Sequence, residues 1–492
     1  MTRPKTFDRN LIVIGAGAAG LVSAYIAAAV KARVTLVESG AMGGDCLNTG
    51  CVPSKALIHC ARVASQVRSA ARFGVRVGSS DIDFPAVMAH VRAAIDKIAP
   101  HDSVERYRGL GVEVLQGRAR LLDPWTVEIA LAGGGVQRLS ARAIVLATGA
   151  EPLVPPLPGL ERVAYTTSET LWQQLSDLER VPSRLLILGG GAIGCELSQA
   201  LARLGSRVTL VEKAPRLLPA EDDDVAAAVS ESLCADGVEV LTGCEALEFT
   251  AGAGAGTGGS ARLRCGSGDR EVGFDLLLLA LGRRPRVRGL GLEELGLLDS
   301  GQFEIDAFLR TRYPHILAAG DLAGPFQFTH MASHQAWYAT VNGLFGDLKK
   351  FRVDYSLVPR AVFVDPQVAS VGLSERRAAG EGIDVEVTRY DIGELDRAIV
   401  DGSARGFVKV LTAPGKDRIL GVSIVADNSA ELIAEFILAM KYRLGLNKML
   451  NTIHIYPSMA EANKYAAGNW KRAHAPALVL RWLERFHRWR RR

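Results

Sequence analysis

The residues in this 492-residue chain best suited to chemistry are two cysteines five positions apart. They lie in the segment Gly43-Gly44-Asp45-Cys46-Leu47-Asn48-Thr49-Gly50-Cys51-Val52-Pro53-Ser54-Lys55. At this spacing alone, a cysteine pair can be two ordinary core thiols. The surroundings point further. Gly43, Gly44 and Gly50 permit a tight loop in which the thiols can meet as a disulfide. Pro53 suits the start of a helix. A thiol at a helix N-terminus ionises more readily, and the thiolate is the reactive form. The chemistry implied is thiol–disulfide exchange.

The elements that must position this segment come before and after it. A hydrophobic strand, Leu11-Ile12-Val13-Ile14, runs into Gly15-Ala16-Gly17-Ala18-Ala19-Gly20 and an Ala-rich helical stretch. A second strand, Arg33 to Val37, ends at the acidic Glu38. The pattern returns later: Leu185-Leu186-Ile187-Leu188 enters Gly189-Gly190-Gly191-Ala192-Ile193-Gly194, and the next strand, Arg207 to Val211, ends at Glu212. From first glycine to acid the offset is 23 in both copies, and the copies lie 174 residues apart. Each is a βαβ start of the dinucleotide-binding kind. The glycines let the backbone approach a pyrophosphate at a helix N-terminus, and the acid accepts hydrogen bonds from a ribose diol. A 2′-phosphate would be repelled by Glu212, which favours NAD(H) over NADP(H) at the second site, although Lys213 and Arg216 lie close by. With 51 glycines in the chain, the motif alone says little. A third match, Gly254, Gly256 and Gly259, has no hydrophobic strand before it and no helix after it. A flexible loop is expected there.

Composition narrows the class. Apolar residues make up 48% and charged residues 23%, as in a folded globular protein. Seven cysteines are too few for a disulfide scaffold. No run of about 18 apolar residues exists to span a bilayer, and the polar Met1 to Asn10 does not read as a signal peptide. The expected location is cytoplasmic. The net charge of +5 equals that of Pro476 to Arg492, which holds six Arg and one Glu. The body is therefore neutral, which argues against a nucleic-acid partner. In the tail, Leu478, Val479, Trp482, Leu483, Phe486 and Trp489 recur at three- and four-residue spacings among the arginines. This is a basic amphipathic helix. It is expected either to pack as an additional helix or to touch the inner face of an anionic membrane.

The cysteine segment resembles the redox-active motif of the class I pyridine nucleotide–disulfide oxidoreductases, a family that includes dihydrolipoamide dehydrogenase, glutathione reductase and mercuric reductase. Further marks follow in order: Ala147-Thr148-Gly149, Gly282-Arg283-Arg284-Pro285, Ala319-Gly320-Asp321 and Thr329-His330. Arg286 stands where the family usually has Asn. The resemblance runs from about Phe7 to Trp470 and implies an α/β fold. Two Rossmann-like dinucleotide-binding domains would be followed by a C-terminal α+β dimerisation domain. Residues 1–155 and 286–350 would bind FAD, 156–285 would bind NAD(P), 351–475 would form a homodimer, and 476–492 would be the tail.

The same resemblance implies roles. Cys51 would lie against the flavin as a charge-transfer thiolate, and Cys46 would attack substrate. Lys55 would sit near flavin N5, paired with Glu196. FAD contacts are implied at Gly15, Gly17, Gly20, Glu38, Gly44, Lys55, Ala119, Thr148, Gly149, Asp321, Thr329 and His330. NAD contacts are implied at Gly189, Gly191, Gly194, Glu212 and Gly282. Cys60, Cys195, Cys234, Cys244 and Cys265 lack motif partners and are expected to be structural. No resident metal site is expected.

One departure bears on the reaction. Family members that act on thiols end in His-Pro-Thr-x-x-Glu, the His serving as base for the partner subunit. This chain reads His454-Ile455-Tyr456-Pro457-Ser458-Met459-Ala460-Glu461. Aligning Pro457 and Glu461 puts Tyr456 in the place of the base, and Tyr, with an ordinary pKa of about 10 against about 6.5 for His, is a poor one. His454, two residues away, is expected to be structural. Mercuric reductases place Tyr here, and a metal ion held by Cys46 and Cys51 needs no proton-abstracting His. They also carry a C-terminal Cys pair, whereas the last Cys here is Cys265. The expected activity is thus electron transfer from NAD(P)H through FAD and Cys46/Cys51 to a disulfide, metal ion or quinone-type acceptor. Dihydrolipoamide dehydrogenase activity and a membrane-docked redox sensor with little turnover are the alternatives.

Overall fold

Leu11, Ile12 and Val13 in the strand Arg9–Ile14 have no exposed surface, as a strand covered on both faces requires. Val34–Glu38 and Val136–Leu146 flank it in parallel, with Glu113–Asp123 and Ile316–Ala318 beyond them. The strand order turns back on either side of Arg9–Ile14, which opens a crevice at the carboxyl ends where ligands bind in such sheets. Glu113–Asp123 and Val136–Leu146 outrun the parallel sheet and are bridged by the antiparallel Thr126–Leu131. The helix Ala18–Ala29 leaves the first glycine turn and packs against Thr329–Phe345.

The computed structural model describes residues 3–78, 81–252, 258–266, 268–299 and 302–492. The chain divides into two compact units, Met1–Lys213 with Cys244–Asp354, and Ala214–Gly243 with Tyr355–Arg492. The first unit also holds the second glycine turn. There the parallel strands run in the order Arg207–Glu212, Arg184–Leu188, Leu276–Leu279 and Tyr165–Thr167. An antiparallel meander of Glu245–Ala251, Gly259–Cys265 and Gly268–Phe274 adjoins them in sequence. The loop expected at Gly254 and Gly256 lies outside the described residues, and Gly259 opens a strand. Cys244 and Cys265, which have no motif partners in the sequence, are disulfide-bonded to each other. The register of two antiparallel strands joins them, and no local motif announces that register.

In the second unit, five antiparallel strands run in the order Arg360–Val362, Gln367–Gly372, Ile419–Ala426, Phe407–Thr412 and Glu386–Asp391. Phe436 of Ser429–Lys441 and Trp470 of Glu461–Ala473 fill its core. The segment Ala214–Gly243 belongs to this unit although it falls within the range expected for the NAD(P) domain. Charge holds it there. The Lys409 ammonium is buried between Asp222, Asp224 and Glu375 at 2.9, 2.7 and 2.7 Å, and Arg360 pairs with the buried Glu221. The molecule is α/β with two dinucleotide folds and a C-terminal α+β unit. At its end, the helix Ala477–Arg490 buries none of its residues.

Candidate active site

The two glycine turns repeat in geometry as well as sequence. Gly15 has φ +101°, and a Cβ there would lie 2.4 Å from the Ala147 carbonyl oxygen. The middle glycines differ: a Cβ on Gly17 would meet nothing nearer than 3.9 Å, and one on Gly191 nothing within 4 Å. Their open faces leave the room that a pyrophosphate needs. The acids stand at the turns. Glu38 accepts N–H bonds from Ala16 at 2.5 Å and Gly40 at 2.6 Å, and Glu212 accepts one from Gly190 at 2.6 Å.

The thiol segment folds as a short helix, Gly44–Asn48, followed by the long helix Cys51–Ser69. Gly43 and Gly44 both have positive φ, and a Cβ on Gly44 would lie 2.6 Å from Cα of Gly17. The loop is braced by Asn48, which donates to Met42 and Gly44 carbonyls, and by Trp172 Nε1, which donates to the Thr49 carbonyl at 2.7 Å. Cys46 and Cys51 are present as free thiols in hydrogen-bond contact. That bond, with Thr329 Oγ1 at 3.4 Å and the Lys55 charge, lowers the Cys51 pKa to about 6 against the opposing effect of burial. Cys46 is raised by the same bond, by burial and by the Cys51 charge. Of the two sulfurs, Cys51 is therefore the one whose thiolate is favoured.

Lys55 lies one helical turn beyond Cys51. Its ammonium is 2.7 Å from Glu196, a buried residue of Ala192–Arg203. On the other side, Arg283 binds Asp45 and donates to the Ala150 carbonyl at 2.6 Å. Its Nε is buried without a hydrogen-bond partner and lies 3.8 Å from Asp321, whose carboxyl is raised by burial. Gln335 fixes Gly320 beside Asp321. Thr148 binds the Arg286 carbonyl, Gly149 has φ +71°, and Arg286 pairs with Glu169. Thr329 begins the helix Thr329–Phe345, and His330 stacks on Phe328. The Ala119 side chain is buried in the core, so only its backbone can face a cofactor. Gly282 has φ +105°. The open face at Gly17, the under-satisfied Arg283–Asp321 pair and the Lys55 cation fit FAD, with its anionic pyrophosphate, ribityl hydroxyls and electron-accepting ring.

The residues of the C-terminal motif lie in the second unit. Tyr456 is 65% exposed and donates its hydroxyl to Asp396 at 3.0 Å. His454 is buried between Glu435 at 2.9 Å and the Thr452 carbonyl, a structural setting. Glu461 is 5% exposed and accepts from Ser458 N–H and Tyr465 Oη within its own helix start. The sequence reading did not single out Asp45, Trp172 or Arg283 as site residues. Their partners lie 123 to 238 residues away, apart from the local neighbours of Asp45.

Comparison with known proteins defines the class. Residues 9–336 match the pyridine nucleotide-disulphide oxidoreductase family and residues 358–467 match its dimerisation domain. The chain belongs to this family and is an FAD-dependent pyridine nucleotide–disulfide oxidoreductase. Its relatives include mercuric reductase of Streptomyces lividans, 34% identical over 93% of this chain and 95% of that protein. Dihydrolipoyl dehydrogenase of Chlamydia muridarum is 32% identical over 92% and 94%. Among solved structures, the Cu(II) complex of the HOCl-induced flavoprotein disulfide reductase RclA from Escherichia coli superposes with TM-score 0.82 at 26% identity, covering 94% of this chain and 99% of that one. LpdA from Mycobacterium tuberculosis gives 0.83 at 27% over the same shares.

Proposed function

We propose that the Cys46/Cys51 dithiol passes electrons from a nicotinamide nucleotide to a thiophilic metal ion such as Cu(II) or Hg(II). The observation that carries this reading is Tyr456, whose hydroxyl donates to Asp396 and offers no base for deprotonating an organic thiol. A metal ion asks for thiolates and not for a base, and Cys51 supplies a thiolate at neutral pH. Bound FAD supplies the two-electron relay between nucleotide and sulfur. Lys55 would hold positive charge beside it, with Glu196 neutralising that charge when the relay is oxidised. Asp321 would bind the ribityl chain, Thr148 and Gly149 would line the nucleotide, and the Gly15-to-Gly20 turn with Glu38 would hold the pyrophosphate and ribose. Cys46 would be the sulfur that meets the acceptor, with Tyr456 and Glu461 of the partner subunit framing it. The family's dimerisation domain supports the homodimer this requires.

Nucleotide choice leans to NAD(H). Glu212 would repel a 2′-phosphate, and the adjacent Lys213 is held by Glu245 at 2.6 Å. Aerobic oxidation of NADH and NADPH with Cu(II), Hg(II), lipoamide and quinones as acceptors tests both parts. Metal-dependent turnover that is lost in Cys46→Ser is expected. Turnover of lipoamide with equal or greater efficiency, or metal turnover that survives Cys46→Ser, would overturn the assignment. A single stoichiometric reduction with no turnover would indicate a sensor.

A second reading concerns location. In Ala477–Arg490, Leu478, Trp482 and Trp489 are 72, 61 and 70% exposed beside arginines. An anionic lipid surface would accept this combination, the aromatic residues entering the interface and the arginines meeting the headgroups. Full-length protein is expected to sediment with acidic liposomes, and deletion of Ala477 to Arg492 to abolish it. Sedimentation unchanged by the deletion would reject the reading.

A further inference from the structure

A second sulfur pair takes no part in the chemistry above. Cys244 immediately precedes Glu245–Ala251, and Cys265 ends Gly259–Cys265. The register Glu245↔Arg264 and Ala246↔Leu263 sets the two cysteines directly opposite, and a disulfide joins them. Cys265 also pairs with Gly268, so the bond pins the end of the whole meander. Its surroundings lead to the second glycine turn. Cys244 N–H donates to the Glu212 carbonyl at 3.1 Å. The next residue, Glu245, accepts from Lys213 at 2.6 Å. The Glu212 carboxylate in turn accepts the Gly190 N–H. The staple thus fixes the backbone of Glu212, the acid read above as the ribose acceptor.

We propose that Cys244–Cys265 is a redox-modification site whose state sets the affinity of the second dinucleotide fold for the adenosine half of its nucleotide. This rests on the reading of Glu212 as the ribose acceptor. Cys244 is 4% exposed whereas Cys265 is half-buried, so an external thiolate attacks the Cys265 sulfur. The protein S–S bond breaks, a mixed disulfide forms on Cys265, and the electron pair leaves on the Cys244 sulfur, which takes up a proton. The second thiol of the same dithiol reductant displaces Cys265 as a thiolate, which is then protonated. The balance is two protein thiols for one oxidised dithiol. With the cross-link open, the strand ends at Cys244 and Cys265 can fray. Glu212 and Lys213 then lose partners held in register.

The test uses FAD-loaded protein carrying Cys46→Ser and Cys51→Ser, so that the flavin-side pair cannot exchange. Non-reducing peptide mass spectrometry is expected to find Cys244 linked to Cys265. Titration with NAD+ by calorimetry before and after dithiothreitol is expected to show Kd rising roughly three- to tenfold, the scale of one backbone hydrogen bond and one exposed ion pair. Reoxidation should reverse it. Adding Cys244→Ser and Cys265→Ser should reproduce the reduced value with or without reductant. Absence of the linked peptide, or one Kd in both states, overturns the proposal. Glu212→Ala separates the two readings. If it leaves NAD+ affinity unchanged in the oxidised protein, the ribose assignment fails; if it weakens binding while redox state does not, only the switch fails.

Discussion

Cys51 carries a prediction that belongs to single residues. Its pKa, brought to about 6 by the Cys46 hydrogen bond and helped by Thr329 and Lys55, means that the thiolate is formed above that value and lost below it. Long-wavelength charge-transfer absorbance in the anaerobically NADH-reduced protein is expected to titrate with a midpoint near 6. Thr329→Val and Lys55→Met should each move the midpoint upward, because each removes a group that favours the thiolate. If the flavin only bleaches and no such band appears, the dithiol is outside the circuit. Lys55→Met should also destabilise the fold by about 2 kcal/mol, since it removes the cation 2.7 Å from the buried Glu196 while Lys55 itself is partly solvated. Urea unfolding measures this. Cys46 and Cys51 drew notice in the sequence because glycines and Pro53 crowd into one short segment, and Lys55 only through the family resemblance of that segment. Arg283 stood in the sequence only as part of the Gly282-to-Pro285 mark, because its reach to Asp45, 238 positions away, has no local signature.

Helices, strands and turns carry a different contrast. In the second glycine turn, Gly189 has φ +108° and a Cβ there would lie 2.3 Å from the Ala280 carbonyl oxygen. Gly189→Ala should therefore cost about 2 kcal/mol or more, read as a fall in melting temperature. Gly191→Ala meets nothing in the protein, so the melting temperature should hold while KM for NADH rises. Equal effects of the two substitutions on stability would contradict the phosphate-cradle reading of Gly191. Both turns were readable because strand, glycines, helix, strand and acid recur at one offset. The Cys244–Cys265 pairing was not, because strand register is decided by which faces are buried and by a bulge between Ala246 and Glu248, and no short motif encodes either. His454 shows the reverse case. Spacing alone argued against it as the base, and its burial between Glu435 and Thr452 gives the reason it stays where it is.

At the scale of the whole molecule, one segment clusters with a unit that is distant from it in sequence. Residues 214–243 join the C-terminal unit through Lys409, an arrangement the sequence conceals because Lys409 sits in an otherwise apolar strand, Phe-Val-Lys-Val-Leu-Thr. Lys409→Met should destabilise by about 3–5 kcal/mol, because it removes the buried cation shared by Asp222, Asp224 and Glu375 and leaves Arg389, 3.5 Å from Asp224, beside them. Equilibrium denaturation checks it. The folded-state pKa of Lys409 is raised by its three carboxylate partners, against the effect of burial. Its contribution is therefore complete below the ordinary lysine pKa of about 10.4 and declines only as pH rises toward the higher folded value. Stability of this unit should be level across neutral pH and fall in strong alkali. The same linkage reaches into biosynthesis. During translation, residues 214–243 leave the ribosome more than a hundred positions ahead of Lys409, Arg360 and Glu375. Until those arrive, the acids Glu221 and Asp222 lack the cations that pair with them in the folded unit. A fragment cut at the expected nucleotide-domain boundary, 156–285, would lack Arg360, Glu375 and Lys409 for good, and with them the buried ion pairs of Glu221 and Asp222.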